Sequence, residues 1–198
     1  MKITVYNFKG GVGKTSISVN LSLTLDYGII TNDIYSPLEK VLPKEKLLKL
    51  EIDQDVPSLP DNYNVIFDLG GHVDKRAIKA IKMSDYVLIP TTAEFLDLQL
   101  AINTIEEVKS YNNNIIIVAN KADSNAKTII TSVLRAMKYD YPIAVIKKSK
   151  GITNLFSDKL SISSTVKGGG LKGYHYKPVK EQFDALIKLL IKKSGRKK

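Results

Sequence analysis

The 198-residue chain has no cysteine, which excludes a disulfide framework and any thiolate metal site and suits a reducing cytoplasm. Its two histidines, His72 and His175, are too few and too far apart to suggest a metal centre. No apolar run approaches the ~18 residues needed to cross a bilayer. Met1 leads directly into the strand-like run Ile3-Thr4-Val5-Tyr6, so no export leader is expected. Internal repeats and an obvious domain boundary are also missing. The length suits one domain with a sizeable core, expected over residues 1–193, followed by a disordered basic tail at 194–198.

Acidic residues are scarce in one half only. Residues 1–99 hold 11 Lys/Arg against 13 Asp/Glu, whereas residues 100–198 hold 19 against 7. Residues 141–198 alone carry 14 basic and 3 acidic groups, so nearly all of the net +10 sits in the last third. Such asymmetry points to a polyanionic surface, nucleic acid or anionic lipid, with a solvated lysine-rich face as the plain alternative.

What is present is an alternation of short Val/Ile-rich runs with helical patterns. Strands are expected at Ile3–Asn7, Ile29–Asn32, Asn64–Asp68, Tyr86–Pro90, Asn114–Ala119 and Ile143–Ile146. Helices are expected at Lys14–Leu25, Asp74–Met83, Leu98–Ser110, Ala126–Met137 and Pro178–Lys193. Strands apolar on both faces and separated by helices predict an α/β fold, a mostly parallel sheet covered by helices on both sides. Residues 35–62, with Pro37, Pro43, Pro57 and Pro60, read as irregular, and residues 163–178 read as a mobile basic loop.

The sharpest signal is Lys9-Gly10-Gly11-Val12-Gly13-Lys14-Thr15-Ser16, placed after a strand and opening a helix. Phe8 stands where a general phosphate loop has its first glycine, yet the chemistry survives. Glycines let successive N–H groups converge on phosphate oxygens, and the helix N-terminus adds positive potential. Lys14 can reach the outer phosphates and Thr15 can offer its hydroxyl to Mg²⁺. Val65-Ile66-Phe67-Asp68 follows as an apolar strand ending in a carboxylate, which would lie at the sheet edge beside that loop and hold Mg²⁺ indirectly.

These motifs resemble the ParA/MinD family of P-loop ATPases and its deviant Walker A loop. The resemblance implies ATP and Mg²⁺ as cofactors and a homodimer formed around ATP. It implies that Lys9 reaches the partner's nucleotide, a cation delivered in trans to developing charge. Gly70-Gly71 resembles the family's γ-phosphate-sensing stretch, and Leu98-Gln99-Leu100 part of its dimer face. Thr31-Asn32-Asp33-Ile34 resembles a motif that normally carries two aspartates. Asp33 matches the one that positions water, and Thr31 replaces the other, which implies slow hydrolysis; a surface turn is the alternative for Asp33.

Asn120-Lys121-Ala122-Asp123 is open to two readings. An Asn near this position contacts adenine in the family, whereas the same four residues satisfy a guanine-selective pattern; the lysine-bearing loop favours ATP. The basic end, Lys147, Lys148, Lys150, Lys167, Lys172, Lys192, Lys193, Arg196, Lys197 and Lys198, forms the expected surface for nonspecific DNA. With no base-reading motif apparent, the resemblance to a partition ATPase implies a small centromere-binding ParB-type partner and a cytoplasmic, nucleoid-associated protein. The rival is a membrane-associated positioning ATPase of the MinD kind. The apolar face of Pro178–Lys193 has the width of a helix docked on its own domain, so membrane contact is not expected.

Overall fold

The computed structural model describes residues 1–71 and 74–194, the side chains of residues 192–194 excepted. Seven parallel strands form one sheet in the order β3-β2-β4-β1-β5-β6-β7. They are β1 (Lys2–Val5), β2 (Gly28–Thr31), β3 (Leu47–Lys49), β4 (Val65–Asp68), β5 (Tyr86–Thr91), β6 (Ile115–Ala122) and β7 (Ile143–Lys147). The helices are α1 (Lys14–Leu25), α2 (Lys75–Met83), α3 (Phe95–Val108), α4 (Ala126–Ala136), α5 (Lys150–Thr153), α6 (Leu155–Asp158), α7 (Ile162–Lys167) and α8 (Gly170–Ser194).

The period-2 alternation of the strands divides the core into two layers. Val65 and Phe67, Val87 and Ile89, and Ile115 and Ile117 face one cluster with residues of α2, α3 and α4. Ile66, Leu88, Ile116 and Val118 face the other, with Ile17 and Leu21 of α1 and Phe183, Leu186 and Leu190 of α8. Both faces of the central strands are therefore buried, which is why these segments read as unbroken apolar runs. At about 25 cal/mol per Å² of apolar surface removed from water, these two layers dominate the stabilisation of the fold.

Two expectations need correction. Residues 35–62 are not wholly irregular, because Leu47–Lys49 pairs in parallel with the outer side of β2. Three residues between prolines and turns carry too short a pattern to be seen. Residues 163–178 are not a loop. Ser161 caps α7 by accepting from the Ser164 backbone N–H at 3.0 Å, and α8 starts at Gly170, eight residues before Pro178. Pro178 lies inside α8 on its exposed side. Tyr176, Val179, Phe183, Leu186 and Leu190 make the buried stripe that docks α8 on the sheet. The expected tail, 194–198, falls outside the described residues except for the backbone of Ser194, which ends α8.

Candidate nucleotide site

The segment between β1 and α1 lies at the carboxyl edge of the sheet, with β1 flanked by β4 and β5. Its entrance is fixed by buried Asn7. The Asn7 amide donates to the Pro90 carbonyl at 2.7 Å, and its Oδ1 accepts from the Lys9 N–H at 2.8 Å. Thr104 of α3 ties in from the side, its hydroxyl accepting from the Phe8 N–H at 3.2 Å. Beyond this anchor the loop turns through Gly11 and Gly13, at φ 76° and 93°. At Gly13 a side chain is doubly excluded, since an added Cβ would collide with the Asn120 amide and the left-handed φ disfavours any L-residue. The Gly13 carbonyl then accepts from the Ile17 N–H, opening α1.

Lys14 folds back over this loop and donates to the Lys9 carbonyl at 3.0 Å. Burial pushes its pKa below the ordinary lysine value, with the Asp68 carboxylate pulling the other way. Asp68 is 4% exposed at the end of β4, in register with Val5 of β1 and Thr31 of β2. Desolvation raises its carboxyl above the usual range, opposed by hydrogen bonds from Thr15 and Ser18 and by Lys14. The Ser18 hydroxyl donates to it at 3.0 Å.

Asp33 lies on the wall of the same cleft of about 510 Å³, with Gly10, Gly11, Gly13, Lys14, Thr15, Ser16 and Asp68. The buried Thr31 hydroxyl accepts from the Asp33 N–H at 3.1 Å, so the residue in place of a first aspartate shapes this turn. Asn32 exchanges two hydrogen bonds with Gly70, at 3.1 and 3.0 Å, and the Tyr6 hydroxyl donates to the Gly71 carbonyl. The turn after β2 and the glycines after β4 are thereby linked beside the phosphate loop.

A second cleft of about 660 Å³, lined by Asn120, adjoins the first at Gly13, Ser16 and Lys121. Asn120 is 2% exposed, its amide donates to the Val12 carbonyl at 2.7 Å, and its buried Oδ1 has no hydrogen-bond partner among the described residues. Lys121 donates to the Gly11 carbonyl at 2.9 Å. One oxygen of Asp123 accepts from the Asn125 and Ala126 N–H groups, at 3.0 and 2.8 Å, and holds the backbone that starts α4. The far wall is Lys148, Ser149, Ile152, Thr153 and Phe156.

Lys9 sits at the open edge with its side chain 39% exposed, 3.9 Å from Asp97. Asp97 also accepts from the Thr92 hydroxyl at 2.7 Å. Beside it Phe95 and Leu96 are 77% and 69% exposed, whereas Leu98 is buried in the core. The expected dimer face at Leu98-Gln99-Leu100 therefore needs correcting at Leu98, which turns inward.

The residues expected to hold nucleotide and metal thus gather around two connected clefts. Among the described residues, the expected DNA-contacting lysines lie on several elements of the last third. Lys148 lines the second cleft, Lys147 ends β7, Lys150 starts α5, and Lys167 ends α7. Lys172 in α8 pairs with Asp158 at 3.1 Å. Arg196, Lys197 and Lys198 lie outside the described residues, as do the side chains of Lys192 and Lys193. Sequence reasoning missed Ser18, Thr104, Ile152 and Phe156, while Lys121 was noted only as part of the Asn120–Asp123 motif. Ser18 alone had a local signal, one helical turn after Lys14.

Three observations fit this site to a nucleotide with its metal. Among the described residues, a half-buried lysine has only a carbonyl as its hydrogen-bonded acceptor, a buried carboxylate accepts from two hydroxyls, and a buried amide oxygen has no donor. Among the described residues there is no all-protein cluster of three His, Cys, Asp or Glu for a metal. That donor set suits Mg²⁺ held mainly by phosphate and water oxygens.

A parallel sheet with a glycine loop between its central strand and the next helix defines a P-loop nucleotide-binding protein. Residues 3–162 match the CobQ/CobB/MinD/ParA nucleotide binding domain, and the chain belongs to that family, the MinD/ParA ATPases among its members. In fold it is similar to the septum site-determining protein MinD of Pyrococcus horikoshii OT3, solved with Mg-ADP (17% identity, TM-score 0.65, 95% of this chain and 97% of that one). It is also similar to a ParA family ATPase from Chlorobium tepidum TLS (15% identity, TM-score 0.60, 92% and 98%). An uncharacterised protein of Methanocaldococcus jannaschii is 24% identical, aligned over 57% of this chain and 68% of its own length.

Proposed function

We propose that this chain is an ATP-hydrolysing switch that pairs face to face around ATP and Mg²⁺ and, paired, binds bulk DNA to segregate a plasmid or chromosome. The observation that carries this reading is the position of Lys9. A second lysine of the phosphate loop stands at an open edge beside two exposed apolar side chains, a suitable face for a second copy.

In this reading the Gly10–Ser16 backbone and Lys14 bind the phosphates, and Asn120 faces the base. Thr15 would offer its hydroxyl to the metal, and Asp68, which accepts from the Thr15 hydroxyl, would help hold the metal indirectly. Bound Mg-ATP supplies the phosphoryl group and a cation that neutralises its oxygens. Asp33 orients the attacking water, and Lys9 places its ammonium on the partner's phosphates. With a threonine at 31, one carboxylate fewer serves the site, so turnover is slow and waits on a partner protein of the ParB kind.

Pairing two weak basic surfaces raises their joint hold on DNA through effective concentration. The docked α8 supports DNA over lipid, because its apolar stripe is already buried against the sheet. Among the described residues no helix is long and apolar enough to cross a membrane. The test compares retardation of bulk duplex DNA with sedimentation of anionic liposomes, each with and without Mg-ATP. The expected outcome is an ATP-dependent DNA shift whose affinity falls steeply with salt. ATP-dependent liposome binding with no DNA shift would replace segregation by membrane positioning.

A further inference from the structure

The wall of the second cleft is built from a segment too short to hold its own shape. α5 and α6 have four residues each and follow one another directly between β7 and α7. They present Ile152, Thr153 and Phe156 to the cleft, opposite Asn120 and Asp123. Helices of four residues gain little from their own hydrogen bonds, so their position must come from what packs behind them.

Behind them stands Tyr176 of α8. Its side chain is buried, 7% exposed, in the core layer that also takes Leu155. Its ring lies against Gly151, so close that a Cβ there would come within 3.1 Å of two ring carbons. Its hydroxyl accepts from the Asn154 amide at 3.1 Å. One aromatic side chain thus touches α5 at a glycine, where a Cβ would force the ring to give by a few tenths of an ångström, and holds the junction to α6 by a hydrogen bond. Ser149 completes the hold from the front, its hydroxyl accepting from the Gly151 N–H at 3.1 Å.

We propose that Tyr176 is the positioning residue of the base-binding wall: it sets the distance of Ile152 and Phe156 from Asn120 and so the fit of the nucleotide base, without touching the nucleotide itself. This rests on the reading that the second cleft receives the base. Ile152 and Phe156 offer an apolar and an aromatic surface for a flat heterocycle, and Asn120 Oδ1 opposite lacks a donor. Adding one methyl at Gly151 or removing the Tyr176 hydroxyl shifts or loosens that wall while leaving the phosphate loop unchanged. The clefts share only residues on the Asn120 side, not on the α5–α6 side.

The experiment measures binding of Mg-ATP and of magnesium tripolyphosphate, which lacks base and sugar, to the full chain and to Gly151→Ala, Tyr176→Phe and Phe156→Ala. Wild-type protein is expected to bind ATP at least about tenfold more tightly than tripolyphosphate. Each variant is expected to lose ATP affinity by about three- to tenfold and to keep tripolyphosphate affinity within about twofold. If wild type binds the two ligands equally, the cleft is not a base site and the underlying reading fails. If wild type discriminates but Gly151→Ala and Tyr176→Phe lose both ligands in parallel, or neither, Tyr176 has no positioning role. Should Gly151→Ala not fold, Tyr176→Phe, which removes one oxygen atom, decides the matter alone.

Discussion

Asp68 shows how function is taken from stability at one side chain. A carboxylate 4% exposed is costly when ionised, and two hydroxyls and a half-buried lysine only partly offset that cost. Its raised pKa means that folding disfavours the ionised form relative to the unfolded chain. The cost is therefore absent in acid, appears as pH climbs through the carboxylate range, and is complete above the raised value. Asp68→Asn should keep the Ser18 contact and stabilise the nucleotide-free fold at neutral pH by about 1–2 kcal/mol. That gain should shrink toward zero as pH is lowered, while Mg²⁺-dependent ATP affinity falls at least about tenfold. Chemical denaturation at several pH values and titration with nucleotide check both. An Asn variant no more stable than wild type would remove the argument. Asp68 and the loop residues 9–16 were legible in the sequence, because a strand, a turn and a helix in immediate succession fix where their ends meet. Thr104, which anchors Phe8 from 96 residues away, was not, because only the packing of α3 brings it there.

Elements were legible where burial was two-sided and obscured where it was not. The six longer strands announced themselves by apolar content, whereas Leu47–Lys49, half-buried at the outer edge, did not. Gly168 and Gly169 do break the helix between α7 and α8, whereas Pro178 does not, because buried Tyr176 and Val179 on either side of the proline tie α8 to the sheet. Tertiary packing overrode local propensity there. The start of α3 shows the same limit in the other direction. Leu98 was expected on a dimer face, yet the helix turns Leu98 inward and leaves Phe95 and Leu96 in water. If these two face a second copy, Phe95→Ser and Leu96→Ser should change unfolding free energy by no more than about 0.5 kcal/mol and weaken ATP-dependent pairing at least about tenfold. Denaturation and a concentration series in sedimentation separate the two effects. Unchanged pairing would place the dimer face elsewhere.

Taken whole, the molecule is a three-layer sandwich whose carboxyl edge gathers two clefts and a cation, and whose last third carries the excess positive charge. The fold was legible almost entirely from strand–helix alternation. The second cleft was not, because its α5–α6 wall comes from short helices that no periodicity marks. The central claim is that Lys14 serves the nucleotide of its own chain and Lys9 that of a neighbour. Lys14 reaches back over its own loop, while Lys9 stands at the open edge, 3.9 Å from Asp97. The most direct measurement is solution mass by sedimentation, with ATP and Mg²⁺, alongside nucleotide binding. Wild type should double from 22.0 kDa. Lys14→Ala should bind no nucleotide and stay single, and Lys9→Ala should bind ATP within about threefold of wild type yet stay single. A Lys9→Ala protein that pairs and hydrolyses ATP like wild type would contradict the account.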